Sequence, residues 1–314
     1  MHVFRRPRPG VPAVPSGCVG TVGVFDGVHL GHRQILDRVR QEAATRGLPA
    51  LVFSFEPTPQ EVMSPQQPPA RLMRLREKFL VLGSLGIDQL YCPPFERRLQ
   101  ELSPEAFIEQ LLVGVLGVRH LVVGDDFRFG QGRAGTFAHL EAGGRRHGFR
   151  VEQVGSVTVG ALRVSSTAIR NALASGDLRT ARQLLGRTYR MVGRVGRGQQ
   201  LGRQLGFPTA NIRLQRRVSP VDGIFAVRVH GVGEGVRDAV ASVGTRPTVA
   251  GVEALLEVHI FDFDGDLYGR QLGVDFVARL RDETRFDDLE SLRRQMELDA
   301  AEARRLLADK GTHE

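Results

Sequence analysis

Gly23-Val-Phe-Asp-Gly-Val-His-Leu-Gly-His32 is the stretch that decides how the first half of this chain is read. The apolar run Val19–Phe25 reads as a short strand. Asp26-Gly27 makes a tight turn, and His29-Leu-Gly-His32 enters a helix. Gly31 removes a side chain where backbone must approach phosphate oxygens. The helix N-terminus adds unpaired N–H groups and partial positive charge. Two imidazoles three residues apart share one face and can each donate to developing phosphate charge. Such a site suits attack on an α-phosphate, with pyrophosphate leaving and no covalent enzyme intermediate. Two other readings stand beside it: ordinary helix-start histidines, or a metal pair completed by Asp26.

Outward from this turn the chain alternates between strand and helix patterns. Arg33–Arg46 is expected as a helix, with Ile35, Leu36, Val39 and Ala43 on one side and Gly47 ending it. Leu48–Phe55 is almost continuously apolar, as expected of a strand covered on both faces. Pro57–Pro69 carries five prolines and reads as a loop. Arg74–Gly86 (helix), Gln89–Cys92 (strand), Pro104–Leu116 (helix), His120–Val123 and Arg150–Val154 (strands) complete the rhythm. It predicts a doubly wound α/β domain with a parallel, Rossmann-like sheet.

Near residue 186 the pattern changes to period-2 alternation with frequent glycines. Ile224–His230, Asp238–Val243, Ala254–Phe261 and Val274–Leu280 read as short strands. A small antiparallel β-barrel or sandwich is expected, with the barrel preferred, closed by an amphipathic helix over Asp287–Ala308. The domain boundary falls near Leu185–Thr188, which divides the chain into 1–186 and 187–314.

Bulk properties exclude several classes. The 314 residues suffice for two cores, and 41% hydrophobic with 25% charged residues is ordinary for a globular protein. No apolar run reaches about 18 residues, so no membrane span is expected, and the N-terminus lacks the apolar segment of a secretory signal. Two cysteines, Cys18 and Cys92, without metal-type spacing fit a reducing cytoplasm. The net charge of +8 comes with far more arginine than lysine, which suits phosphate recognition. It also suits nucleic acid, but the arginines are dispersed, without an aromatic-interleaved stripe or any Trp. Nucleic acid is therefore not expected as a partner. Oligomeric state is not legible.

Three further constellations carry chemistry. Val164-Ser-Ser-Thr-Ala-Ile-Arg170 opens a helix running to Ala174. Capping alone would explain one serine; three hydroxyls followed one turn later by arginine favour an anion. Gly193–Gly206 is glycine-rich, with glycines at 196, 198 and 202 that hairpin turns would equally explain. Gly206-Phe-Pro-Thr-Ala-Asn211 follows, where Pro208 fixes the backbone and Thr209 and Asn211 can project to one side. Their neutral oxygens complement Mg²⁺ already bound mainly by phosphates and water; turn formation is the plain alternative. In Leu255-Leu-Glu-Val-His-Ile-Phe261, Leu256, Val258 and Ile260 share one face and Glu257 the other. Glu257 is equally a general base or a surface strand glutamate on these grounds.

Residues 19–175 resemble the nucleotidylyltransferase superfamily, marked by H-x-G-H and S-S-T-x-I-R. Phe25–His32, Leu75-Arg-Glu-Lys78 and Val123-Gly-Asp-Asp-Phe-Arg-Phe-Gly130 point to its flavin branch, the FMN adenylyltransferase module of bacterial bifunctional riboflavin kinase/FAD synthetases. The resemblance implies that His29, His32, Ser166, Thr167 and Arg170 bind ATP phosphates, within a turn formed by Gly23, Phe25, Asp26 and Gly31. It implies that Asp126, Phe127 and Arg128 lie by the nucleotide and flavin. One departure is Pro57-Thr58-Pro59, where the family often has P-H-P.

Residues 187–308 resemble riboflavin kinase through Leu205–Ile212, Gly223–Val227, Ser242-Val-Gly-Thr-Arg-Pro-Thr248, Leu256–Ile260, Phe263–Gly269 and Arg281–Phe286. That resemblance implies that Thr209 and Asn211 hold Mg²⁺–ATP, with Gly198, Gly202, Gly206 and Pro208 in the same ATP site. Glu257 would deprotonate the ribityl alcohol, and Arg281 with the terminal helix would close over flavin. Riboflavin, FMN and ATP are the implied substrates, converted to FAD in two steps. The rivals are an adenylyltransferase for another cofactor precursor and a basic nucleic-acid-binding protein.

Overall fold

The computed structural model describes residues 1–7, 11–198, 202, 205–248 and 251–308, with side chains throughout except at 245–248 and 251–253. Gln199–Leu201, Arg203 and Gln204 of the glycine-rich stretch, and the side chains of Thr245–Thr248, therefore lie outside the described residues. By packing the chain divides into two compact units. The first comprises Met1–Pro69 and Met73–Ser165, the second Ala70–Leu72 and the chain from Ser166 onward.

The first unit is a six-stranded parallel sheet. Its strands are β1 (His2–Phe4), β2 (Cys18–Val22), β3 (Ala50–Phe53), β4 (Gln89–Tyr91), β5 (Val118–Gly124) and β6 (Arg150–Val154), in the order β1-β4-β3-β2-β5-β6. Helix α1 (Leu30–Arg46) follows β2. Helices α2 (Pro59–Met63), α3 (Leu75–Ser84), α4 (Arg97–Gln100), α5 (Pro104–Ala106) and α6 (Phe137–His147) follow in turn. Alternate strand residues feed two cores. Val19, Val52, Leu90 and Val122 pack with Leu36 and Val39 of α1 and Leu82 of α3. Leu51, Phe53, Tyr91 and Leu121 pack on the other face with Phe107, Leu112 and Leu140. Burial on both faces explains why these strands read as continuous apolar runs.

Several elements differ from the sequence expectation, each for a local reason. Inside Pro57–Pro69 a helix forms because Thr58 and Glu61 make a reciprocal capping box with Pro59 at the first helical position. Thr58 Oγ1 donates to Glu61 Oε2 at 2.9 Å, so this hydroxyl serves the cap. The expected helix over Pro104–Leu116 loosens into a π-helix at Phe107–Val115, with Leu116 N–H bonding the Leu111 carbonyl. Helix α6 escaped notice because Gly143 and Gly144 interrupt its pattern. A Cβ at Gly143 would crowd Ile108 at 3.0 Å, which explains the small residue. Strand β1 is too short for periodicity to reveal.

The second unit begins with two helices, α7 (Ser166–Ala174) and α8 (Leu178–Leu185). A short hairpin, β7 (Thr158–Val159) and β8 (Leu162–Arg163), precedes them in the first unit. Then β9 (Arg190–Gly196), β10 (Ala210–Arg213), β11 (Gly223–His230), β12 (Val236–Thr248), β13 (Gly251–Ile260) and β14 (Gln271–Arg281) close an antiparallel barrel in the order β10-β13-β12-β11-β14-β9. Inward residues such as Phe225, Val227, Ala241, Leu256, Val258 and Phe276 are buried, and closure leaves no open edge. Strands β12, β13 and β14 run 13, 10 and 11 residues, longer than the short strands expected. Helix α9 (Leu289–Ala308) packs Ala303 and Leu307 on the outer face of the barrel, against Ala226 and Phe261.

A charged network ties α1 to the sheet. Arg38 reaches Glu152 of β6 at 2.5 Å and Glu42 at 2.6 Å, and Arg46 pairs with Glu42 as well. The buried His120 ring on β5 lies 3.2 Å from Glu152 and 3.5 Å from Glu42. Burial, with Arg46 nearby, pushes the His120 pKa below its ordinary value, and the two carboxylates oppose the shift without reversing it. The folded state thus favours the neutral ring, and the unfolded chain takes up its proton first as pH falls. This contribution is complete above the unfolded value of about 6.5 and is lost as pH falls from there toward the folded value. Thermal unfolding followed from about pH 7.5 to about pH 5.5 should show a falling midpoint, with a smaller fall in His120→Gln. An unchanged pH dependence in that variant would remove His120 from the account.

Candidate functional site

The turn after β2 is a strained loop held from several sides. Phe25 and Val28 have φ of 49° and 43°, and Gly27 has φ of 87°. Positive φ at a β-branched valine is an outlier that costs about 1–3 kcal/mol, so the surroundings must impose it. They do. Phe25 and Val28 are fully buried. The Gly23 N–H donates to the Phe53 carbonyl at 3.0 Å. The Val24 carbonyl accepts from the Lys78 ammonium at 2.7 Å and the Ser54 hydroxyl at 3.0 Å, and the Asp26 carboxylate accepts from the Met73 N–H at 2.9 Å. Asp26 is thus a brace for the turn in this structure.

The turn delivers His29 as the N-cap of α1. Its Nδ1 accepts from the His32 N–H at 3.2 Å, which places the neutral ring's proton on Nε2. The His29 and His32 rings stack at 3.6 Å and 13°, and Phe25 lies 4.8 Å from the His32 ring. Gly31 has a reason within the protein itself: a Cβ there would sit 3.3 Å from the His29 ring. The first turn of α1 carries no acidic residue, which leaves its amide end attractive to anions.

Strand order reverses between β2 and β5, since β3 lies on one side of β2 and β5 on the other. Ligands of open α/β sheets bind at such a switch point, and the loops after β2 and β5 both emerge there. The β5 loop carries the other expected residues. Asp126 pairs with Arg163 at 3.0 Å, Phe127 stacks on Phe129 at 5.7 Å, and Arg128 is exposed and donates to the Phe127 carbonyl. Asp125 and Arg163 were not singled out from the sequence. Asp125 accepts from the Ser156 hydroxyl and N–H, which hold it below the ordinary aspartate range, and from Arg163.

Ser166 and Thr167 open α7 in the second unit, Thr167 exposed and Ser166 half-buried. Arg170, one turn on, donates from Nε to the Ala70 carbonyl at 2.6 Å.

The barrel presents a second site. Opposite residues of antiparallel strands share a face, and the pairs Asn211↔Glu257, Glu257↔Ser242, Ser242↔Ile224 and Ile224↔Arg281 form one row across β10, β13, β12, β11 and β14. All five residues line a cleft of about 450 Å³ whose far wall is Leu292, Met296 and Asp299 of α9. Arg281 holds that wall: Nε and Nη2 donate to the Asp299 carboxylate at 2.8 and 2.7 Å. Ser242 donates to Glu283 at 2.8 Å. A second cleft of about 460 Å³, lined by Pro208, Ala210 and Phe263–Tyr268, shares Thr209 with the first.

Asn211 is the informative residue. It is 8% exposed, its Nδ2 donates to the Thr209 carbonyl at 3.5 Å, and its Oδ1 is buried without a hydrogen-bond partner. A buried carbonyl oxygen left unpaired is costly unless something binds it. Gly198 packs flat on this amide, where any Cβ would collide. Gly202 receives the Phe207 N–H at 2.7 Å, and Gly206 turns the chain at φ 84°. Among the described residues no group of three or more His, Cys, Asp or Glu side chains could hold a metal ion. Neutral oxygens beside phosphate are the donor set this cleft offers a hard cation, and they fit one.

A family model for FAD synthetase matches residues 11–168, and one for riboflavin kinase matches residues 185–307. The bifunctional riboflavin kinase/FMN adenylyltransferase of Escherichia coli (strain K12) is 47% identical over 292 residues, 93% of both chains. Its counterpart in Pseudomonas fluorescens is 49% identical over 93% of this chain and 94% of that one. A solved structure of a macrolide-efflux protein from Streptococcus pneumoniae is 30% identical with a TM-score of 0.82, covering 96% of this chain and 98% of that one. No helix among the described residues is long and apolar enough to cross a membrane.

The brace on the strained turn is testable by itself. Replacing Lys78 with Met keeps the buried stem and removes the donor to two acceptors, so chemical denaturation should report a loss of about 1–3 kcal/mol. No loss would mean that the turn is held without the ammonium.

Proposed function

The chain belongs to the family of bifunctional riboflavin kinase/FMN adenylyltransferases, and from that premise we infer how its two sites act. It phosphorylates riboflavin to FMN with one ATP, then adenylylates FMN to FAD with a second, releasing pyrophosphate. The observation that carries the residue assignment is the row Asn211–Glu257–Ser242, with Asn211, whose Oδ1 is buried and unpaired, opposite Glu257 in the strand register.

In the kinase step riboflavin occupies the partly apolar cleft under α9, and the ATP phosphates enter at Thr209, where the two clefts meet. Thr209 and Asn211 would hold Mg²⁺, which on binding neutralises charge on the transferring phosphoryl group. Glu257 lies across the strand pair from Asn211 and takes the proton of the ribityl hydroxyl as the oxygen attacks the γ-phosphorus. Arg281 holds the wall of the cleft through Asp299, and Gly198 keeps the Asn211 amide in place. The rest is positioning, which supplies most of the catalysis in phosphoryl transfer.

In the adenylyl step an FMN phosphate oxygen attacks the α-phosphorus of ATP. The amide end of α1, with His29 and His32, donates to the phosphate oxygens as charge builds and pyrophosphate departs. The tautomer set by the His32 N–H leaves His29 Nε2 as the donor. We assign Ser166, Thr167 and Arg170 to binding ATP phosphates, and Asp126, Phe127 and Arg128 to contacts with the nucleotide and flavin after β5. We place the functional boundary at 186/187, supported by the Gly186 helix cap just before the first barrel strand. We place the enzyme in the cytoplasm, which its two free, buried cysteines fit.

The two activities should separate by mutation, with products resolved by chromatography. Glu257→Ala should lower FMN formation by about 10²–10⁴-fold while FAD formation from supplied FMN continues. The double variant His29→Ala, His32→Ala should do the reverse, losing about 10²–10³-fold in FAD formation. Loss of both activities in folded Glu257→Ala would overturn independent sites.

A further inference from the structure

The His259 ring lies against the turn that carries Thr209 and Asn211. Its Nδ1 is 2.9 Å from the Pro208 carbonyl oxygen. A carbonyl only accepts, so Nδ1 carries the proton and donates. The ring is held edge-on between two others, Phe207 at 5.1 Å and Phe261 at 5.8 Å, both T-shaped. Phe261 is covered in turn by the Arg304 guanidinium of α9 at 4.3 Å, and Arg304 is fixed to Asp262 by two 2.8 Å bonds. The imidazole is thus fixed by packing on both sides and by one directional bond.

That bond reaches the site through the backbone. Ala210 pairs with Val258, so Thr209 and His259 sit opposite each other one position further along, and both line the cleft under α9. The Pro208 carbonyl belongs to the peptide plane that ends at the Thr209 nitrogen, so holding it sets the direction in which Thr209 leaves the turn. The Thr209 carbonyl receives Asn211 Nδ2, and that contact turns Asn211 Oδ1 to its buried position without a protein partner. One donor upstream therefore orients both oxygens.

We propose that His259 is a positioning residue for the divalent cation and nucleotide of the barrel site, acting through the Pro208–Thr209 peptide. This rests on the kinase reading of the barrel. Partners that orient a ligand from behind typically change metal affinity by about 10–100-fold when removed.

Two substitutions divide the ring from its donor. H259F keeps an aromatic ring between Phe207 and Phe261 and removes the N–H; H259N removes the ring and keeps a side-chain N–H near the Nδ1 position. The full chain would be titrated with Mn²⁺ in the presence of ADP, with free Mn²⁺ read by electron paramagnetic resonance. The wild type should show two classes of site, one for each activity. H259F should weaken one class by about tenfold and leave the other, with its thermal midpoint retained, and H259N should recover the lost affinity. In turnover, H259F should raise the KM for Mg-ATP in riboflavin phosphorylation more than it lowers kcat, and FAD formation from supplied FMN should not change. Equal affinities in all three proteins, or equal weakening in both variants, would overturn the role of the donor. A wild type that makes no FMN would overturn the kinase reading instead.

Discussion

Barrel closure is the constraint on which the second half of the molecule depends. Six antiparallel strands that meet edge to edge admit one register, because a slip of one residue would turn every side chain to the opposite face. Leu256, Val258 and Ile260 must face inward, so Glu257 and His259 must face out. Pairing with β10 then puts Asn211 beside Glu257 without any contact designed between the two. The polar row is a by-product of apolar packing. Its precision comes from the core, and the loops around it are free to serve binding.

The first unit solves a different problem. The central strands of its sheet are buried on both faces, so the binding chemistry falls at the ends of strands. There the chain is bent through positive φ at Phe25 and Val28, and a buried ammonium satisfies the carbonyl that the bend exposes. Lys78 is 1% exposed, and its ammonium donates to the Val24 carbonyl and the Ser54 hydroxyl. The strain stored in the turn and the cost of burying a charge are borne together, next to the two imidazoles they position.

Much of this was legible in the sequence because period and chemistry coincided. Runs buried on two faces announced parallel strands, and alternation in Ala254–Phe261 and Val274–Leu280 announced a one-sided sheet. His29 and His32 stood out by their spacing at a helix start, whereas Asn211 and Glu257 took their expected roles from the resemblance to riboflavin kinase. The supporting residues did not stand out. Lys78 reads as one of only two lysines on a helix, and nothing in its neighbourhood says that it points inward. Arg163 and Asp125 meet although 38 positions apart in sequence. His259 is one imidazole on a strand until the register sets it opposite Thr209. Pairings at long sequence separation belong to topology, and single-residue patterns do not carry them. The helix α2 was lost for another reason: five prolines outweighed a capping box that was present to be read.

The reversal of strand order at β2 and β5 has one more consequence. These strands are hydrogen-bonded neighbours, about 4.8 Å apart, yet the chain between them runs out through β3 and β4 and returns. Apart from the turn after β2, α1 and the braces Ser54, Met73 and Lys78, that excursion is peripheral to the crevice where the two loops emerge. Insertions between α3 and β5, or growth of the sheet at its β1 edge, would leave the spacing of those loops untouched. The fold separates the part of the gene that can vary in length from the part that must keep its geometry.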